Sequence, residues 1–160
     1  MPELAKNKAG VVIIFLWRHQ FLLILRDDKP DILSPNTWCP VTGGREDPED
    51  FWQAAVREAQ EEIGIVPENM AMLGVSRKGN AFFCGQLTDK EKELIVLGEG
   101  QRYDFFHIEN VLRLKEFGLL GGAMSIYLEQ YPSVFQKMAD TEQPPYGREL
   151  GLATWNGESQ

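Results

Sequence analysis

Two apolar runs only three residues apart set the strongest limit on how this chain can fold. Residues 10–17 read GVVIIFLW and residues 21–26 read FLLILR, with Arg18-His19-Gln20 between them. Both runs are rich in β-branched and aromatic residues, and neither alternates between apolar and polar. A strand with one wet face would alternate, so the pair reads as a β-hairpin buried on both faces. Such a hairpin needs a cover on each side, which excludes an open two-layer sheet. At 43% apolar residues in a 160-residue chain, a single core of that kind can be filled.

The covers follow from a change of period. Residues 27–37 (DDKPDILSPNT) form a polar, proline-bearing loop, and residues 38–42 form a short extended stretch that Gly43-Gly44 closes. From Asp47 to Ile63 the apolar residues Trp52, Ala55, Val56, Ala59 and Ile63 recur at helical spacing. Asp47 is the expected N-cap, Pro48 suits the first helical position, and Gly64 suits a left-handed terminator. Strand-like runs are expected at 71–76, 81–87, 93–97 and 103–107, with helices over 108–114 and 123–131. The order predicts an α+β fold, a mixed β-sheet with helices on both sides. One domain over 1–140 is expected, followed by a tail over 141–160 that is irregular or ordered only by docking.

Chemistry concentrates on the helix over 47–63. Glu58, Glu61 and Glu62 are spaced i, i+3 and i+4, so they share one face, roughly opposite the apolar stripe. Like charges at that spacing repel unless a cation sits against them. Oxygen ligands of this kind suit a hard divalent cation, Mg²⁺ or Mn²⁺. Such ions serve phosphate chemistry by neutralising charge and activating water. Arg57 adjoins the cluster and can grip a carboxylate with two hydrogen bonds. Gly43 permits a close backbone approach just upstream.

Composition narrows the partners. A net charge of −8 argues against a nucleic-acid-binding surface. Cys39 and Cys84 are the only cysteines, too few for a disulfide framework. Val11 to Trp17 is too short an apolar run to cross a bilayer, and residues 1–8 carry no signal-peptide pattern. A cytoplasmic protein, monomer or homodimer, taking a small phosphorylated molecule is the expectation. His19 and His107 have no acidic or cysteine partner at metal spacing and read as a turn residue and a strand-end residue.

Gly43, Glu49, Arg57, Glu58, Glu61, Glu62, Gly64 and Ile65 fit the pattern GX5EX7REUXEEXGU, where U is bulky and apolar. The chain is thereby similar to the Nudix hydrolases over roughly residues 9–131. That resemblance implies an αβα sandwich and metal-dependent hydrolysis of nucleoside diphosphates linked to another group. It implies that Glu58, Glu61 and Glu62 are metal ligands, with the Gly43 carbonyl as a further one. Glu49 and Arg57 would lock the loop to the helix, and Glu58 is the first choice of general base, ahead of Glu61 and Glu99. Glu99-Gly100-Gln101 resembles the Glu-Gly-Gln of MutT-type members, which extends a metal role to Glu99, with Glu91, Glu93 and Asp104 as rivals. Arg26 resembles a phosphate-contacting position. Val41-Thr42-Gly43 replaces the commoner Pro-Gly-Gly and is similar to the dihydroneopterin triphosphate pyrophosphohydrolases, while Pro48 stands where glycine is frequent. The resemblance therefore implies a nucleoside triphosphate or similar substrate, the alternatives being a non-nucleotide triphosphate or a binding module without catalysis.

Overall fold

In a computed structural model, which describes residues 9–154, the expected hairpin forms from β1 (Gly10–Trp17) and β2 (Gln20–Leu25). Arg18 and His19 make the turn, both with positive φ (46° and 64°), so the loop is one residue shorter than expected. The two strands pair at the tip, through Leu16 with Phe21 and Trp17 with Gln20. Further down, β3 (Trp38–Cys39) takes the inner edge of β2, and β4 (Val41–Gly44) takes the edge of β1 opposite residues 10–13. The chain thus enters the hairpin as a wedge, and Pro40 divides the single extended stretch expected from sequence.

The remaining strands complete a seven-stranded mixed sheet. The strand β6 (Ala81–Gln86) runs parallel to β1, and β5 (Asn69–Val75) pairs antiparallel with β6. The strand β7 (Arg102–Phe106) closes the other side by pairing antiparallel with β2.

Both faces are covered. Val11, Ile13 and Phe15 of β1 point to α1 (Phe51–Ile63), where Ala54, Ala55 and Ala59 let the helix backbone approach the sheet. Val12, Ile14 and Leu16 point the other way, to α3 (Ile108–Glu116), α4 (Gly122–Gln130) and α5 (Pro132–Thr141). The α+β sandwich with helices on both sides is the observed fold. Among the described residues, no helix is long and apolar enough to cross a membrane.

Two elements differ from expectation. Residues 93–97 are not a strand. Thr88 caps α2 (Asp89–Glu93) and forms a reciprocal capping box with Glu91. The chain then crosses the end of α1, where Val96 N donates to Ile63 O at 3.0 Å and Gly98 N to Glu62 O at 2.9 Å. Ile95 is buried, but against α1 rather than within the sheet. The second difference is α5, which the sequence reading left out. Pro132 stands at its start, where a proline lacks no needed donor. Beyond Thr141, a 3₁₀ turn (Gly147–Leu150) and a bridge between Val75 and Ala153 bring Leu150 and Leu152 into the core. Residues 155–160 of the expected tail lie outside the described residues.

Phe135 on α5 is 1% exposed and packs 6.1 Å from the ring of Phe21 in β2. Phe135→Ala is expected to destabilise the protein by about 3–5 kcal/mol, measured by urea unfolding. A loss below about 1 kcal/mol would show that α5 is not part of the core.

Candidate active site

The start of α1 is set three residues later than expected. Asp50, not Asp47, is the N-cap: its Oδ1 accepts from Gln53 N at 2.7 Å, while Asp50 N donates to Gln53 Oε1 at 2.9 Å. Asp47 and Pro48, joined by a cis peptide, belong to the preceding loop. A capping box needs its partner three residues on, and Gln53 supplies it to Asp50. Gly64 ends the helix in the left-handed conformation, as expected.

The carboxylates are not opposite the apolar stripe. Phe51, Ala54, Ala55, Glu58, Ala59, Glu62 and Ile63 are the buried residues of α1, a single stripe at helical spacing. Glu58 and Glu62 occupy core positions within it, 9% and 8% exposed. Trp52, assigned to the apolar stripe from sequence, is 47% exposed instead. Glu61, one residue round the helix, has a side chain 56% exposed. The sequence pattern contained this arrangement, because Glu58 and Glu62 stand seven and eleven residues after Phe51. Assigning charged residues to the wet side of the helix concealed it.

Arg57 organises the approach to these carboxylates. Its Nε donates to Glu49 Oε2 at 2.7 Å and one Nη to Glu49 Oε1 at 3.1 Å, a two-point grip. The same Nη donates to Gly44 O at 2.7 Å; the other donates to Glu58 Oε1 at 2.9 Å and Glu61 Oε2 at 3.2 Å. The Arg57 bond holds the Glu49 carboxyl below its ordinary range, aided by the amide of Glu46, which donates to Glu49 at 2.9 Å. Gly43 sits in β4 opposite Val11, and a side chain there would collide with the carboxyl of Glu58. The close approach expected at Gly43 is therefore an approach of Glu58 to the β4 backbone.

Glu62 is the least satisfied group in the cluster. Its Oε2 is buried without a hydrogen-bond partner. Burial first, then the nearby charges of Glu58 and Glu99, push its pKa up to about 9, against an opposing hydrogen bond from the Thr42 backbone. Burial also raises Glu58, opposed by its bond to Arg57.

Glu62 opens onto a cleft of about 470 Å³ lined by Ile24, Arg26, Asp27, Lys29, Ile32, Cys39, Gly98, Glu99 and Gly100. The structure thus brings Glu62, Glu99 and Arg26 to one cavity, although they come from α1, the 94–101 crossing and the end of β2. None of the rivals of Glu99 lines this cleft. Glu91 accepts from Thr88 N and Glu68 N, Asp104 binds the adjacent Phe105 N, and Glu93 ends α2. Asp27, Lys29, Ile32 and Cys39 were not singled out as site residues from sequence; their proximity in sequence to Arg26 and Trp38 was the available signal.

Among the described residues, no three His, Cys, Asp or Glu side chains already converge as a closed metal cage. The donor set nonetheless fits a hard divalent cation. Two buried carboxyls crowd together, a third carboxylate adds negative charge, every donor is oxygen, and one buried oxygen is unpaired.

An αβα sandwich that sets a buried acidic helix flank against a cationic loop across one cleft has the layout of a phosphoanhydride hydrolase. The NUDIX domain model matches residues 6–116, and the chain belongs to the Nudix family. Solved structures with the same fold include DR0079 of Deinococcus radiodurans, with a TM-score of 0.66, 14% identity, and coverage of 77% of this chain and 82% of that one. A MutT protein of Methanosarcina mazei gives 0.59, 18%, 81% and 93% in the same order. An Ap4A hydrolase of C. elegans gives 0.58, 18%, 81% and 98%. No curated protein matches the chain. Family membership makes the protein a hydrolase of phosphoric anhydride bonds in nucleoside diphosphate-linked compounds, in a family that generally uses divalent metals.

Folding raises the Glu62 carboxyl from its ordinary 4.5 to about 9. Its contribution to stability is therefore whole below pH 4.5 and lost as pH rises toward 9. In EDTA, the wild-type melting temperature is expected to fall across this window. Glu62→Gln, which carries no charge to bury, is expected to melt higher than wild type at pH 8 and to show a flatter pH profile. Parallel profiles for the two proteins would show that Glu62 is not an uncompensated carboxyl.

Proposed function

We propose that the protein is a divalent-metal-dependent pyrophosphohydrolase of nucleoside triphosphates, releasing a nucleoside monophosphate and pyrophosphate. The observation that carries the proposal is the buried, unpaired oxygen of Glu62 beside Glu58, within a complete Nudix motif. Glu58, Glu61, Glu62, Glu99 and the Gly43 carbonyl are the groups that would hold Mg²⁺ or Mn²⁺. The cation would supply charge neutralisation and Lewis acidity toward the phosphoanhydride.

The chain's own groups carry the other roles. Arg57, gripping Glu49 and the Gly44 carbonyl, keeps the loop and helix in one geometry, so the carboxylates need not reorganise when substrate arrives. Arg26 lines the same cleft as Glu62 and binds a phosphate oxygen of the substrate. Glu58 Oε2 takes the proton of the attacking water, while Oε1 stays bonded to Arg57. Substrate choice falls to loops such as 27–37, which lines the cleft through Asp27, Lys29 and Ile32. The Val41-Thr42-Gly43 stretch favours a second reading on the same chemistry, in which the triphosphate is a pterin rather than a nucleotide. A binding module without catalysis is disfavoured, because all the motif carboxylates are present.

A panel of ribo- and deoxynucleoside triphosphates, oxidised deoxynucleotides, diphosphate-linked nucleotides and dihydroneopterin triphosphate, assayed with Mg²⁺ and Mn²⁺, tests this directly. Glu58→Gln and Glu62→Gln are each expected to lower kcat by about 10²–10⁴. Near wild-type turnover of Glu62→Gln at saturating Mg²⁺ would refute the ligand assignment. Binding without turnover across the panel would favour the module reading.

A further inference from the structure

Gln101 makes contacts that its place in the sequence does not explain. It follows Gly100, whose φ of +91° and close packing on Ile24 and the Leu25 carbonyl leave no room for a side chain. The Gln101 backbone N donates to Leu25 O at 2.8 Å, which fixes it at the end of β2. Its side-chain Nε2 then donates twice, to Arg26 O at 2.8 Å and to Asn36 Oδ1 at 2.9 Å. Both amide protons are used, and the two acceptors lie near opposite ends of the 26–37 loop.

Those acceptors form the neck of that loop. Arg26 N donates to Thr37 O at 2.8 Å, and Asn36 N to Asp27 O at 3.1 Å. Inside the loop, Arg26 Nε donates to Leu33 O at 2.9 Å. That bond occupies Nε, and the rest of the guanidinium lies against the Cys39 thiol in the lining of the cleft. Lys29 lines the same wall; its Nζ lies 3.9 Å from Asp27, the outer limit of an ion pair, with the side chain 63% exposed. Glu62 and Glu99 line the same cavity. Gln101 is two residues from Glu99, so one short segment supplies an acidic group on one side and the tie for the cationic wall on the other.

We infer that Gln101 is a positioning residue: its side-chain amide clamps the neck of the 26–37 loop and thereby presents Arg26 and Lys29 as the phosphate-binding wall of the cleft. Two cations three residues apart, facing an acidic cluster, match a substrate with at least two consecutive phosphates. The phosphate role rests on the hydrolase reading; the clamp does not.

Gln101 is exposed, so its substitution is expected to leave the fold intact, as judged by an unchanged melting profile. In Gln101→Ala, amide exchange over residues 26–37 is expected to quicken by about tenfold, with β6 unchanged. Gln101→Glu keeps the size but has no N–H to donate, and is expected to quicken exchange likewise. With whichever substrate the panel identifies, Gln101→Ala is expected to raise KM about tenfold with kcat within about twofold. In an Arg26→Ala/Lys29→Ala background, adding Gln101→Ala is expected to leave kcat/KM unchanged, because the groups it positions are gone. Wild-type exchange in the loop in either Gln101 variant would overturn the clamp. A full multiplicative loss in the triple variant would overturn its action through Arg26 and Lys29. If no compound is hydrolysed, the hydrolase reading fails, while the exchange measurement still decides the clamp.

Discussion

Arg57 joins the parts of the site that would otherwise be independent. Five hydrogen bonds from one planar guanidinium reach Glu49 in the preceding loop, the Gly44 carbonyl at the end of β4, and Glu58 and Glu61 on its own helix. A lysine could supply charge but not that fan of fixed directions. Without this tie, the loop between β4 and α1 would have few constraints, and Glu58 would lie beside Glu62 with no cation to offset it. The energetic sense is a compensation. Burying carboxyls in a helix stripe is costly, and Arg57 satisfies one of them while Glu62 keeps an oxygen unpaired.

The sheet explains why Glu62 lines a cleft although that oxygen is itself buried. The hairpin strands pair only at their tip, and residues 38–44 enter between them, half on each strand. Small residues on α1 let the helix settle close over this wedge, so its carboxylates meet the β4 backbone at Gly43. The end of β2 then carries Arg26 and the start of the polar loop out along the same opening. Stability and chemistry are thus placed side by side. The apolar positions of α1 hold it to the sheet, and of the two carboxyls that interrupt the stripe Glu58 meets the β4 backbone while Glu62 lines the cleft.

Much of the fold was legible before any coordinates. The non-alternating runs 10–17 and 21–26 required a sheet covered on both faces, and the helical period from Asp47 to Ile63 located one cover. Where the reading failed, a local signal had been weighed wrongly. Ile95 and Leu97 alternate like a strand, but the Thr88–Glu91 capping box turns the preceding residues into a helix, and the apolar pair serves the end of α1 instead. The helix that Pro132 opens had no counterpart among the expected elements. Asp47-Pro48 looked like a helix start, yet the reciprocal bonds with Gln53 belong to Asp50.

The sequence by itself determined which groups match the Nudix motif, since the spacing of Gly43, Glu49, Arg57, Glu58, Glu61 and Glu62 is a local property of one loop and one helix. Only the tertiary structure decided how those groups differ. Glu58 and Glu62 are buried and Glu61 is exposed because the sheet, not the helix, defines which side is inside. Arg26, Lys29, Glu62, Glu99 and Gln101 meet only because the β2 end, the 26–37 loop and the 94–101 crossing pack together around the C-terminal half of α1. Such meetings depend on contacts between residues dozens of positions apart, and no period or spacing along the chain records them.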